Sequence, residues 1–254
     1  WLPVTDKFEP PISHQIAIGG SMQLPKDLML TLEGFYKTMN NLIEYKEGAG
    51  FGGTGAGWES KVEKGKGWAY GGEILIEKTT GKTTGWIGYT LSWANRQFEN
   101  LNFGEVFPAK YDRRHDISVV ITHQFNKKID IGTTWVYGTG NAYTLGIMKY
   151  PALPLPYSDD MHNTPHITGY ESRNNYRAPA YHRFDLGINF HKEKKRGTRT
   201  WSISIYNIYN RKNPFYLFWD SIYFETDGNY YSVPALKQIS LFPIIPSVSY
   251  SYKF

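Results

Sequence analysis

The chain has 254 residues, with 28 Lys+Arg against 23 Asp+Glu for a net charge of +5, no Cys, 25 Gly, 20 Tyr and 8 Trp. A hydrophobic content of 41% and a mean hydropathy of −0.48 exclude a bundle of membrane-spanning helices, since no run approaches the ~18 apolar residues that such a helix needs. The absence of cysteine removes disulfides, thiolate metal sites and thiol nucleophiles.

Along the chain the dominant period is two. In residues 14–24, Ile16, Ile18, Met22 and Leu24 alternate with Gln15, Ser21 and Gln23. Leu28, Leu30, Leu32 and Tyr36 follow, with Thr31, Glu33 and Lys37 between them. Tyr70, Ile74 and Ile76 alternate with Gly71, Glu73 and Glu77, and Ile87, Tyr89, Leu91 and Trp93 with Gly88, Thr90 and Ser92. Ile117, Val119, Ile121 and Phe125 form the next set, and Ile129, Ile131, Trp135 and Tyr137 the one after. Phe184, Leu186, Ile188 and Phe190 are followed by Trp201, Ile203 and Ile205, and Val248, Tyr250, Tyr252 and Phe254 close the chain. This pattern predicts nine strands, each with one apolar and one polar face.

The connections alternate too. Residues 25–27, 80–82, 126–128 and 192–197 read as tight turns, whereas 46–67, 95–114, 141–180 and 211–238 read as long loops. The polar faces carry Glu33, Glu73, Asp116, Asp130, Arg183 and Asp185, and Tyr and Trp gather near the strand ends. Apolar-out, polar-in strands with aromatic girdles, tight turns at one end and long loops at the other predict a transmembrane antiparallel up-and-down β-barrel of the bacterial outer membrane. A soluble β-sandwich is the competing fold, and it would gather Ile117, Val119, Leu186 and Ile203 in one dry interior. Nine is an odd number, so first and last strands run in the same direction. A closed barrel of even strand number then requires further strands, and the chain is expected to be the C-terminal part of a larger barrel.

Three stretches carry a family resemblance: 241-LFPIIPSVSYSYKF-254, 206-YNIYNRKNP-214 and 111-YDRRHD-116. The first is similar to the terminal strand of TonB-dependent outer-membrane receptors of the Bacteroidetes type, and the other two resemble recurrent elements of that family. The resemblance implies a 22-stranded barrel enclosing an N-terminal plug domain, with import of a scarce nutrient driven by the TonB complex acting on the plug. A passive porin-like or adhesin barrel is the alternative. The implied partners are outer-membrane lipid, the plug and N-terminal strands of the same receptor, the TonB complex, the barrel-assembly machinery and a surface lipoprotein. Cofactors, nucleic acid and enzymatic activity are not expected.

Within that frame Glu33, Glu73, Asp116, Asp130, Arg183 and Asp185 are expected to face the lumen and plug. Val248, Tyr250, Tyr252 and Phe254 would form the barrel-assembly signal, an extended edge suited to strand addition. Trp58, Tyr157, His162, His166, Tyr170, Trp219 and Tyr223 sit on the long loops as candidate substrate contacts. Asp159, Asp160, His162 and His166 have the ligand types of a zinc or iron site, but a polar surface loop accounts for them without metal. Arg113, Arg114 and His115 read as a loop-to-strand rim rather than a catalytic patch. The run 192-KEKKR-196 reads as a solvated turn.

Overall fold

The structure is a computed structural model that describes residues 3–46, 49, 57–146, 148–151 and 166–254. In chain order its strands are β1 (Ile12–Leu24), β2 (Leu28–Tyr45), β3 (Val62–Lys78), β4 (Thr83–Phe98), β5 (Phe107–Pro108), β6 (His115–Asn126), β7 (Ile129–Gly138) and β8 (Ala142–Tyr143). They continue with β9 (Met148–Pro151), β10 (His166–Gly169), β11 (Tyr176–Arg177), β12 (Tyr181–Lys194), β13 (Gly197–Tyr206), β14 (Pro214–Thr226), β15 (Asn229–Ser240) and β16 (Ile245–Lys253). Among the described residues one antiparallel sheet dominates, in the order β1-β2-β3-β4-β6-β7-β12-β13-β16, with β5 pairing back onto β4. Its nine long strands are those the period of two predicts. The sheet stays open, with β1 and β16 as edges that run in the same direction.

Turn chemistry sets the register at the tight end. Lys26 and Asp27 take positive φ in a Pro25–Asp27 turn, and the Asn126 Oδ1 accepts the backbone N–H groups of Lys128 and Ile129. Gly197 opens β13 at φ 148, and a Cβ there would strike the carbonyl of Lys253 on β16. Only glycine fits that approach.

The resulting register sorts the residues onto two faces. Ile87, Val119, Trp135 and Phe184 line up across four strands, and Ile203 stands opposite Val248. Among the described residues no second layer covers them: Ile18 is 77% exposed, Ile87 45% and Ile203 48%. Ile117, Val119, Leu186 and Ile203 lie on one face of one sheet rather than in a shared interior. The sandwich reading fails on this point, because a sandwich core needs a facing sheet. The buried apolar cluster lies instead at the long-loop end, where Phe98, Leu101 and Phe107 pack with Leu42.

The long connections are more ordered than expected. The stretch read as a loop over 211–238 folds as a hairpin, β14–β15, whose turn residues Asp227 and Gly228 both have positive φ. Asp-Gly is a favoured two-residue hairpin turn. Its strands carry aromatic residues on both faces, which hides the alternation. Within 141–180, β8 pairs with β11 and β9 with β10. The loop expected at 46–67 is shortened by β3, which begins at Val62, and that at 95–114 by β4, which extends to Phe98. No helix is long and apolar enough to cross a membrane among the described residues.

Candidate functional site

The polar face carries three sets of charged residues. Glu33 stands opposite Glu73, and the same row continues through Thr90 to Asp116, which Arg113 holds at 3.3 Å. Two carboxylates directly opposed across a strand pair repel. Lower on the wall, Asn189 Nδ2 donates to Asp130 Oδ2 at 2.7 Å, and His191 Nε2 lies 2.5 Å from Asp130 Oδ1. His191 Nδ1 is 2.9 Å from Thr200 Oγ1. Towards the long loops, Arg183 donates to Asp185 (2.8 Å) and to the hydroxyls of Tyr181 (2.9 Å) and Tyr206 (2.7 Å), and its guanidinium lies 4.1 Å from the centre of the Tyr206 ring. All six acids and bases expected on the polar faces therefore share one side of the sheet, as the register dictates. Glu33, Glu73 and Asp116 share a row, whereas Asp130 and the Arg183–Asp185 pair stand apart.

Two buried polar hubs, invisible as such in the sequence, organise the rim at the long-loop end. Asp112 is 1% exposed; its Oδ1 accepts the Ala94 N–H at 2.7 Å and its Oδ2 accepts from Arg114 and Arg177. Arg177 also donates to the Asp112 carbonyl, and Arg114 lies 4.5 Å over the ring of Trp93. Asn207 is fully buried at φ 53; its Nδ2 donates to the carbonyls of Arg211 and Phe242, and its Oδ1 accepts the Arg211 N–H. Its own N–H donates to Asp185 Oδ1 at 2.8 Å. Asp112 lies within 111-YDRRHD-116 and Asn207 within 206-YNIYNRKNP-214, so both stretches work by pinning a turn to a strand end.

The segment before β12 is fastened to the same rim. Glu44 pairs with Arg96 at 2.8 Å and with Arg173 at 3.3 Å, while the Arg173 N–H donates to Asn102 Oδ1 at 2.6 Å. Tyr45, Asn102, Phe103, Tyr170 and Arg173 help to line a cleft of about 280 Å³.

The loop candidates are scattered. Trp58 packs on Phe8 with ring centres 5.3 Å apart, and Tyr170 is half exposed beside Arg173. Trp219 and Tyr223 share one face of the β14–β15 hairpin, Tyr223 being 75% exposed. Tyr157, Asp159, Asp160 and His162 lie outside the described residues, and His166 opens β10 opposite Pro151. Among the described residues no three His, Asp or Glu side chains are placed to hold a metal. On the edge strand β16, Val248, Tyr250 and Tyr252 share the apolar face, Tyr250 meets Trp201 edge-on at 5.0 Å, and Phe254 is almost fully exposed.

Burial pushes the Tyr209 phenol, in the turn after β13, above its ordinary value. On the hairpin the hydrogen bond from Lys237 (2.6 Å) and the Ser221 N–H hold the Asp220 carboxyl below its ordinary value. A depressed carboxylate stabilises the fold above its unfolded value and loses that stabilisation as pH falls through the folded one. Protection of the β14–β15 amides, taken as exchange relative to the intrinsic rate at each pH, is therefore expected to stay level from pH 8 to 5 and to fall only in acid below the ordinary carboxylate range. Asp220→Asn should abolish that acid step, and a step retained in the variant would refute the assignment.

A family model described as TonB dependent receptor-like, beta-barrel matches residues 3–210. Among solved structures, the ferric-catecholate import receptor Fiu of E. coli K12 is similar at a TM-score of 0.52 and 16% identity, over 83% of this chain and 25% of that one. At that identity the likeness shows the fold, and the chain spans a quarter of the length of that receptor. No curated protein matches the sequence. The family match covers well over half of the chain, and its barrel is the architecture to which the dominant sheet with alternating faces conforms; the chain belongs to the TonB-dependent receptor β-barrel family.

Proposed function

We propose that this chain is the C-terminal wall of a TonB-dependent receptor in the bacterial outer membrane, of the Bacteroidetes type, which captures a scarce nutrient at the cell surface and admits it to the periplasm. The observation that carries the reading is the open nine-stranded sheet whose apolar face has no protein cover among the described residues and whose two edges run in the same direction. Joining such edges by antiparallel pairing takes an odd number of further strands, and about thirteen would complete the 22-stranded barrel of outer-membrane transporters. Lipid covers the apolar face. The polar face lines the lumen, where Glu33, Glu73, Asp116, Asp130, Arg183 and Asp185 meet the plug. The tight turns lie in the periplasm, and the long-loop rim forms the mouth. There Trp58, Tyr170, Trp219 and Tyr223, with Tyr157, His162 and His166 of the same loops, contact the nutrient. A surface lipoprotein could seat on this mouth, and β16 with Phe254 serves as the edge read by the assembly machinery.

Uptake in cells carrying the intact receptor, supplied in turn with siderophore, cobalamin, glycan and peptide, tests this. One class is expected to accumulate, and deletion of TonB should abolish its uptake while leaving binding at the surface. Uptake that survives the deletion would identify a passive porin-like channel instead.

A further inference from the structure

The charges of the sheet divide unevenly between its two ends. At the long-loop end six arginines are in ion pairs, Arg96 and Arg173 with Glu44, Arg114 and Arg177 with Asp112, Arg113 with Asp116 and Arg183 with Asp185, while Lys64, Lys66, Lys110, Arg211 and Lys212 have no ion pair among the described residues. The tight-turn end is different. Residues 26–27, 77–82, 127–130, 192–199 and 253 hold eleven Lys and Arg against four Asp and Glu. That excess of seven exceeds the net charge of +5 of the whole chain. Among the described residues none of these eleven cations lies in an ion pair.

The turns also form one continuous ridge. Lys78 Nζ donates to the Lys26 carbonyl at 2.7 Å, and Thr80 Oγ1 to Asp27 Oδ2 at 2.9 Å. The N–H of Gln124 donates to the Lys82 carbonyl and that of His191 to the Lys128 carbonyl, each at 2.7 Å. Lys26, Lys82, Lys127, Lys128 and the whole 192–196 run are exposed. Immediately above the ridge on the apolar face stand Ile121, Phe125 and Phe190, each more than a third exposed. Long cationic side chains bordering an apolar band reach along it to the lipid–water boundary, where they meet phosphate.

We propose that the tight-turn rim is a docking surface for the phosphate headgroups of anionic phospholipid in the leaflet facing the turns. The inference rests on the barrel reading above. An extended surface of negative charge matches these cations better than a compact anion does, because they are spread over every turn of the sheet instead of converging on one point. Unpaired exposed cations hold a headgroup without first breaking an ion pair within the protein, and their attraction to an anionic membrane falls off within a Debye length.

The test uses the intact receptor carrying this chain, reconstituted in nanodiscs of equal phosphatidylglycerol and phosphatidylethanolamine, with retained lipid counted by native mass spectrometry. The wild type is expected to keep phosphatidylglycerol over phosphatidylethanolamine by at least about fivefold, the worth of one net surface cation. Lys127→Gln, Lys128→Gln, Lys194→Gln, Lys195→Gln and Arg196→Gln combined should bring the ratio close to one. High salt should do the same to the wild type, which keeps the test independent of how the variant folds. Equal retention of the two lipids by an inserted wild type overturns the lipid role alone. An unchanged ratio in the variant, with loss of a co-purifying acidic periplasmic protein, would give the rim to a protein partner and overturn it as well. Failure of the wild type to insert into any bilayer would overturn the barrel reading and, with it, the rim's role.

Discussion

Asp112→Ala is expected to destabilise the long-loop rim by about 3 kcal/mol, near the lower end of the range for removing one partner from a buried ion pair. The change deletes the acceptor of the Ala94 N–H and leaves Arg114 and Arg177 without their carboxylate. Both arginines are about one-third exposed, so water recovers part of the loss and the upper end of the range is not reached. Hydrogen exchange in the intact receptor should rise at 94–98, 109–114 and 176–180 and stay unchanged at the tight turns. Asp112→Asn, which keeps an acceptor for Ala94 but no charge, should fall between. Equal protection in wild type and Asp112→Ala would mean that Asp112 does not organise the rim.

The second large effect concerns the faces of the wall. Val119 and Ser118 are neighbours on β6, and the register turns them to opposite sides, Val119 to Trp135 and Ser118 to Val136. If hydrocarbon meets the Val119 side, Val119→Arg should cost about 2–4 kcal/mol of insertion, the depth-dependent charge for arginine at the bilayer midplane. Ser118→Arg would enter the polar side at a fraction of that cost. The folded fraction in bilayers, read from heat-modifiable gel migration, should therefore fall sharply for the first variant and little for the second. A loss of the same size in both would place lipid and lumen wrongly.

The wall was legible in the sequence because an amphipathic strand writes its two environments into alternate positions. Ile117, Val119 and Ile121 against Asp116, Ser118 and Thr122 need no partner to be read. What alternation cannot convey is which residues meet. Asp130, His191 and Thr200 come from three strands, and only the register joins them into one hydrogen-bonded chain. Asp112 and Asn207 look like ordinary loop polars; their importance comes from burial, a property of the turn they sit in and not of their residue type. The β14–β15 hairpin escaped because Trp219 and Tyr223 point to one face while Tyr216, Phe218 and Phe224 point to the other, so no polar side marks the strand. Its Asp227-Gly228 turn was the available signal.

The length of the wall strands bears on the proposed capture at the mouth. β2 runs for 18 residues, about 59 Å of extended chain. At the usual ~45° tilt it rises about 42 Å, well beyond an apolar band ~25 Å tall. The surplus of about 17 Å is hydrogen-bonded sheet rather than slack chain, and it matches the depth of the headgroup layers, which bring a bilayer to about 40–45 Å. If lipid meets the apolar face, a diffusing molecule would thus find rigid masonry at the level of the headgroups, and its first selection would be made by shape there.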